Sequence, residues 1–171
     1  DWARQANAAA RESRGGTRSA RGEAFRAFWG GLAEYTQTID WPLAELRVSG
    51  LTWARIPVDV VGLRVNAGYS PTSGRASLVV LFRSVDEVYD DEAIRRYDFI
   101  AERRPEVEAK IRQPIRWIDT EETGGGYAQL TMTPGPEVED PDQARFEWLT
   151  RTSLAIRAAF DEAYRDFDNA G

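Results

Sequence analysis

The chain has 171 residues, 42 % of them hydrophobic and 29 % charged, values of an ordinary globular domain and not of a disordered one. It contains neither Cys nor His, which excludes thiol nucleophiles, disulfides, zinc fingers, haem ligation and imidazole acid–base catalysis. The net charge of −6 is uneven: residues 1–22 hold five arginines against Asp1 and Glu12, a net +3 that leaves −9 on the rest. An acidic body does not attract nucleic acid through its overall field, although a local basic face can. The cations are 21 Arg and one Lys, Lys110, a bias that carries no phosphate-binding meaning without positional support.

No apolar run approaches the ~18 residues of a membrane span, and no secretory signal core is visible, so a cytoplasmic location is expected. A start at Asp1 instead of Met suggests a piece of a longer chain.

Residues 1–22 are polar and rich in Gly, Ser, Ala and Arg, which reads as a linker or tail with some helical tendency. Residues 23–171 read as one α+β domain. A first helix is expected from about Ser19 to Thr38, with Phe25, Phe28, Trp29, Leu32 and Tyr35 at helical spacing. Trp41-Pro42 ends it, because the residue before proline is pushed out of the helical region.

Three strands follow. The first covers Leu51–Val58, and its Pro57 suits a sheet edge. The second, Gly62–Ser70, alternates Leu63, Val65, Ala67 and Tyr69 against Arg64, Asn66 and Gly68. Pro71-Thr72-Ser73-Gly74 is a turn signal. The third strand, Arg75–Arg83, is apolar on both faces, as a central strand is. A helical phase from Asp86–Asp91 to Ile111 is interrupted by Pro105, which predicts a kinked helix or two short ones. Strands Ile115–Asp119 and Tyr127–Thr133 form a second hairpin around Gly124-Gly125-Gly126. A last helix covers about Asp142–Phe167. The order α-β-β-β-α-β-β-α predicts two layers: a mainly antiparallel five-stranded sheet with helices on one face.

Several motifs have plain structural explanations. Glu108-Ala109-Lys110 spells half of a nuclease metal site, but in a helix its two side chains diverge by about 200°. Asp86, Glu87, Asp90, Asp91 and Glu92 lack the spacing of a calcium loop and suit a helix start. Asp59, Asp119 and Glu121 would form a carboxylate pair only if they met in space. The triple glycine lacks the Lys and the following helix of a phosphate loop. No catalytic residue, metal ligand or cofactor is expected.

The uncovered sheet face is the more informative feature. It is expected to carry Trp53, Arg55, Arg64, Asn66, Arg83 and Arg116, with Val79, Leu81, Gln129 and Thr131 among them. Trp and Arg are enriched at interface hot spots, and the same pair stacks on bases and neutralises phosphates. The preferred function is a non-catalytic protein-interaction or self-association module and the second a nucleic-acid-binding module; a third, carboxylate–metal catalysis, requires a divalent ion bound between acids that meet in space.

Phe28-Trp29, the strand pair Leu63–Tyr69 and Leu78–Phe82, the Glu106–Ile111 helix end, Trp117 and Phe146-Glu147-Trp148 resemble a bacterial domain of unknown function, number 4268. The resemblance covers about residues 20–167, and Asp1-Trp2-Ala3-Arg4 looks like the linker that joins this domain to a preceding one. In that family the preceding domain commonly resembles restriction-endonuclease-type nucleases. The likeness therefore implies a C-terminal companion of a nuclease-like protein, with its own upstream domain or a second copy as partner. It supplies no catalytic residues. Gln113-Pro114 replaces the glycine that more usually follows the Ile-Glu run there.

Overall fold

The computed structural model describes residues 2–120, 122 and 124–171, with residues 2–19 described by backbone alone. The elements are α1 (Trp2–Thr38), β1 (Trp53–Ile56), β2 (Leu63–Ser70), β3 (Arg75–Phe82), α2 (Asp91–Ala101), α3 (Arg104–Ile111), β4 (Arg116–Asp119), β5 (Gly126–Met132) and α4 (Pro141–Ala170). The expected α+β order is present. The helical phase around Pro105 resolves into two helices, α2 ending at Ala101 and α3 taking Pro105 into its first turn. There the missing amide hydrogen of proline costs no bond. The first helix begins at Trp2, well before the expected Ser19, and the first strand is shorter than expected at both ends.

The five strands lie in the order β1-β2-β3-β5-β4, all neighbours antiparallel. The strand that is apolar on both faces, β3, is the central one, and Pro57 follows the edge strand β1. Alternation then sorts the side chains. Leu63, Val65 and Ala67 of β2, Leu78, Val80 and Phe82 of β3, and Ala128 and Leu130 of β5 point into one buried layer. The helices close it with Trp29 and Leu32, Tyr97 and Ile100, Val107 and Ile111, and Leu149, Ile156 and Phe160. Phe82 packs at 5.1 Å from Tyr97 and 5.8 Å from Phe160, so the central strand touches two helices through one ring. Tyr69 stacks on Phe28 at 3.8 Å with 10° between the planes.

Two devices hold the ends of this layer. Asp90 caps α2, accepting from the amides of Glu92 and Ala93, and this hydrogen bonding from Ala93 is the leading reason its carboxyl titrates below the ordinary range. Arg96, only 3 % exposed, lies between the rings of Tyr164 and Phe167 at 4.7 and 4.8 Å and pairs with Glu92 and Asp168. Among the described residues, no helix is long and apolar enough to cross a membrane.

Candidate functional site: the uncovered sheet face

Strand register decides what stands side by side on the face away from the core. Trp53, Gly68, Ser77 and Thr131 form one cross-strand row. Arg55, Asn66, Val79, Gln129 and Arg116 form the next. Arg64, Leu81, Tyr127 and Ile118 form the third. Five of the six residues expected on this face thus share it. Arg83 lies one residue beyond β3, where it donates to the carbonyl of Phe82 and its guanidinium lies 5.8 Å from the Tyr89 ring centre.

The centre of the face is apolar and its margins are cationic. Val79 and Leu81 are half-buried in mid-sheet, and Trp53 and Tyr127 are exposed to either side, the indole at 47 %. Arginines surround them at Arg55, Arg64, Arg83 and Arg116. Burial, then the neighbouring charge of Arg64, lowers the pKa of the Arg83 guanidinium.

Two irregular segments border this face. The turn after β3 brings Glu87 to 3.3 Å from Arg55 and 3.7 Å from Arg64, so one carboxylate serves two arginines. Glu87 takes a left-handed backbone (φ 60°) to do so, a conformation that costs a non-glycine residue on the order of 1 kcal/mol. The second segment, residues 44–51, walls off a cleft of about 590 Å³ whose floor is β1 and β2. Trp29 of α1 pins that wall by donating to the Leu51 carbonyl at 2.8 Å. In the cleft, Arg64 Nε and Asn66 Oδ1 are buried and have no hydrogen-bond partner. Sequence patterning did not signal this wall, because residues 42–52 carry no period; Trp29 reads equally well as a core aromatic.

The other acidic and glycine motifs resolve into local structure. Glu108 accepts from the Trp117 indole at 2.9 Å, and Lys110 pairs with Glu162 at 2.7 Å on another helix. Asp59 follows the edge strand β1 while Asp119 ends β4 at the opposite edge, so the two do not meet. Glu121 lies outside the described residues. Among the described residues, no group of three or more Asp or Glu is placed to hold a metal ion. Gly124 and Gly125 take positive φ in the hairpin loop, the structural role expected of them.

A second polar cluster lies at the β4 edge. Asp119 accepts from Tyr97 at 2.6 Å and from Arg104, whose guanidinium also reaches the Tyr97 oxygen at 3.1 Å. Burial, then Asp119, pushes the Tyr97 hydroxyl up to about 12, and the bond from Tyr97 holds the Asp119 carboxyl below its ordinary value. A phenol this hard to ionise is no general base near neutral pH. The cluster ties α2 and α3 to an edge strand.

Comparisons with protein-family models, with curated proteins and with solved structures find no match to this chain.

Proposed function

We propose that this chain is a non-catalytic protein-interaction or self-association module that binds through its uncovered sheet face. In this reading it is the C-terminal companion of a nuclease-like bacterial protein, with residues 1–22 as the tether. The observation that carries the reading is the apolar centre: Val79 and Leu81 stay half-buried on the middle strand, framed by exposed Trp53 and Tyr127. An apolar centre inside a polar, arginine-bearing rim is the composition of an interface.

The second reading is nucleic-acid binding by the same arginines and aromatics. Trp53 and Tyr127 favour it, since exposed rings on a sheet stack with bases. Glu87 weighs against it, because it already neutralises part of the Arg55 and Arg64 charge that phosphates would need.

Light scattering over a concentration series, on the chain alone and with the nuclease-like domain added, tests the first reading. Association through an apolar centre survives about 0.5 M salt, where exposed charges are screened within a few ångströms, and disappears in Leu81→Asp. Fluorescence anisotropy with single-stranded DNA tests the second: affinity that falls steeply with salt and is lost on changing Arg64 and Arg116 would favour it. A strict monomer that ignores both the added domain and DNA overturns both.

A further inference from the structure

Resting on the second reading of this face, as a nucleic-acid surface, we infer that its phosphate-binding part is the β5–β4 half, where a single strand lies along β5. The two halves of the face differ in charge. On the β1–β2 half, Glu87 already pairs with Arg55 and Arg64. On the other half, Arg75 of β3 and Arg116 of β4 are exposed and form no ion pair among the described residues. Strands β3, β4 and β5 carry one acid between them, Asp119. Alternation turns it to the helix side, where Tyr97 and Arg104 hold it.

Strand register places the groups of this half in one zigzag line. Arg116 stands opposite Gln129, and Ser77 stands opposite Thr131, so Arg116 and Arg75 are diagonal neighbours of Thr131 on its two sides. Tyr127 stands opposite Ile118, which makes it a diagonal neighbour of Arg116. Diagonal neighbours in an antiparallel pair lie about 7–8 Å apart, within reach of long side chains. Arg75 and Arg116 line one notch of about 350 Å³, together with Pro114, Ile115, Gln129 and Thr131. The notch exists because pairing between β4 and β5 begins at Arg116, which leaves Thr131 without a β4 partner. No carboxylate lines it.

This line matches a phosphodiester strand. Each guanidinium presents a planar fork of donors to a phosphate oxyanion, and the Thr131 hydroxyl and Gln129 amide add donors between the two. Tyr127, 37 % exposed, continues the line with a ring on which a base stacks. A duplex keeps its bases stacked on each other, so the ring selects a single strand. An acidic peptide would satisfy the arginines alone, whereas the ring favours a ligand that alternates anions with flat apolar groups. Stacking and phosphate contacts read no base edge, so the track is tolerant of sequence.

Fluorescence anisotropy of a labelled oligothymidylate with the full chain, over a salt series, tests this. Two phosphate contacts on a single strand give a slope of about −1.4 in log K against log salt. Arg75→Gln and Arg116→Gln, both at exposed positions, should each reduce that slope by about 0.7. Arg151→Gln, exposed on α4, should leave it unchanged. Tyr127→Leu should weaken binding about tenfold with the slope kept, because stacking releases no counterions. A slope that Arg55→Gln and Arg64→Gln reduce, while Arg75→Gln and Arg116→Gln do not, overturns the β5 line and keeps the nucleic-acid reading of the face. Polyglutamate that competes as well as the oligonucleotide, with Tyr127→Leu without effect, assigns the arginines to an acidic protein and overturns the inference. A chain that does not bind the oligonucleotide overturns the inference and the second reading together, and leaves the face to a protein partner.

Discussion

Tyr97 of α2 donates its hydroxyl to Asp119, the last residue of β4, at 2.6 Å. This bond fastens the edge strand to the helix layer beneath it. A hydrogen bond to a charged acceptor from a buried phenol contributes about 1.5 kcal/mol, so Tyr97→Phe should lower stability by that amount in a urea melt. The pH dependence has a definite sign. Asp119 titrates lower in the folded state, so its share is present above the unfolded value of about 4 and lost as pH falls through the folded one. Tyr97 is raised, so its share is present below about 10 and lost as pH rises towards about 12. The difference between wild type and Tyr97→Phe should therefore be flat near neutrality and shrink at both extremes. A difference that persists unchanged at acid pH would remove Asp119 from the account.

Arg96 should be costly to remove. It is buried between two aromatic rings, yet its partners Glu92, at 26 %, and Asp168, at 62 %, both keep access to water and can rehydrate once the cation is gone. The loss in Arg96→Ala is then mainly packing and ring contact, about 2 kcal/mol and below the 3–5 of a fully enclosed pair. Thermal unfolding checks it, and hydrogen exchange should locate the loosening at the end of α4.

Two glycines predict opposite signs. A methyl group on Gly126 would collide with the Ile118 carbonyl and lie 2.7 Å from the Tyr97 ring. Gly126→Ala should cost about 3 kcal/mol, because backbone on one side and a locked ring on the other cannot yield. Gly30 is inside α1 with nothing within 4 Å of its added carbon. There alanine should stabilise by about 0.8 kcal/mol through helix propensity alone. Chemical denaturation of both variants decides between them.

Trp29 links the core to the cleft wall. Trp29→Phe keeps an aromatic ring in the core but removes the donor to the Leu51 carbonyl. A loss of about 1 kcal/mol is expected, with faster amide exchange around residues 49–53. Unchanged exchange there would mean that the wall is held by other contacts, such as Arg26 against Gly50.

Much of the architecture was legible before any coordinates. The alternation Leu63, Val65, Ala67 and Tyr69 assigns one face of β2, and the apolar run of β3 places it in mid-sheet, because period and polarity follow directly from which sides are wet. Pro105 marks the break between α2 and α3 for an equally local reason. The start of α1 was less legible, since the Arg- and Gly-rich stretch from Trp2 carries little hydrophobic period. The face residues Trp53 and Arg116 could be paired only through strand order, which no local pattern encodes.

What the sequence alone determined is whatever depends on neighbours along the chain: element types, the buried stripe of each helix and the absence of thiol or imidazole chemistry. What only the tertiary structure decided is whatever depends on register between distant segments. Glu87 meets Arg55 and Arg64, Trp29 reaches Leu51, and Tyr97 finds Asp119 because five strands and four packed elements bring remote backbone together within hydrogen-bond reach. Such contacts depend on directions in space, and sequence separation carries no record of them.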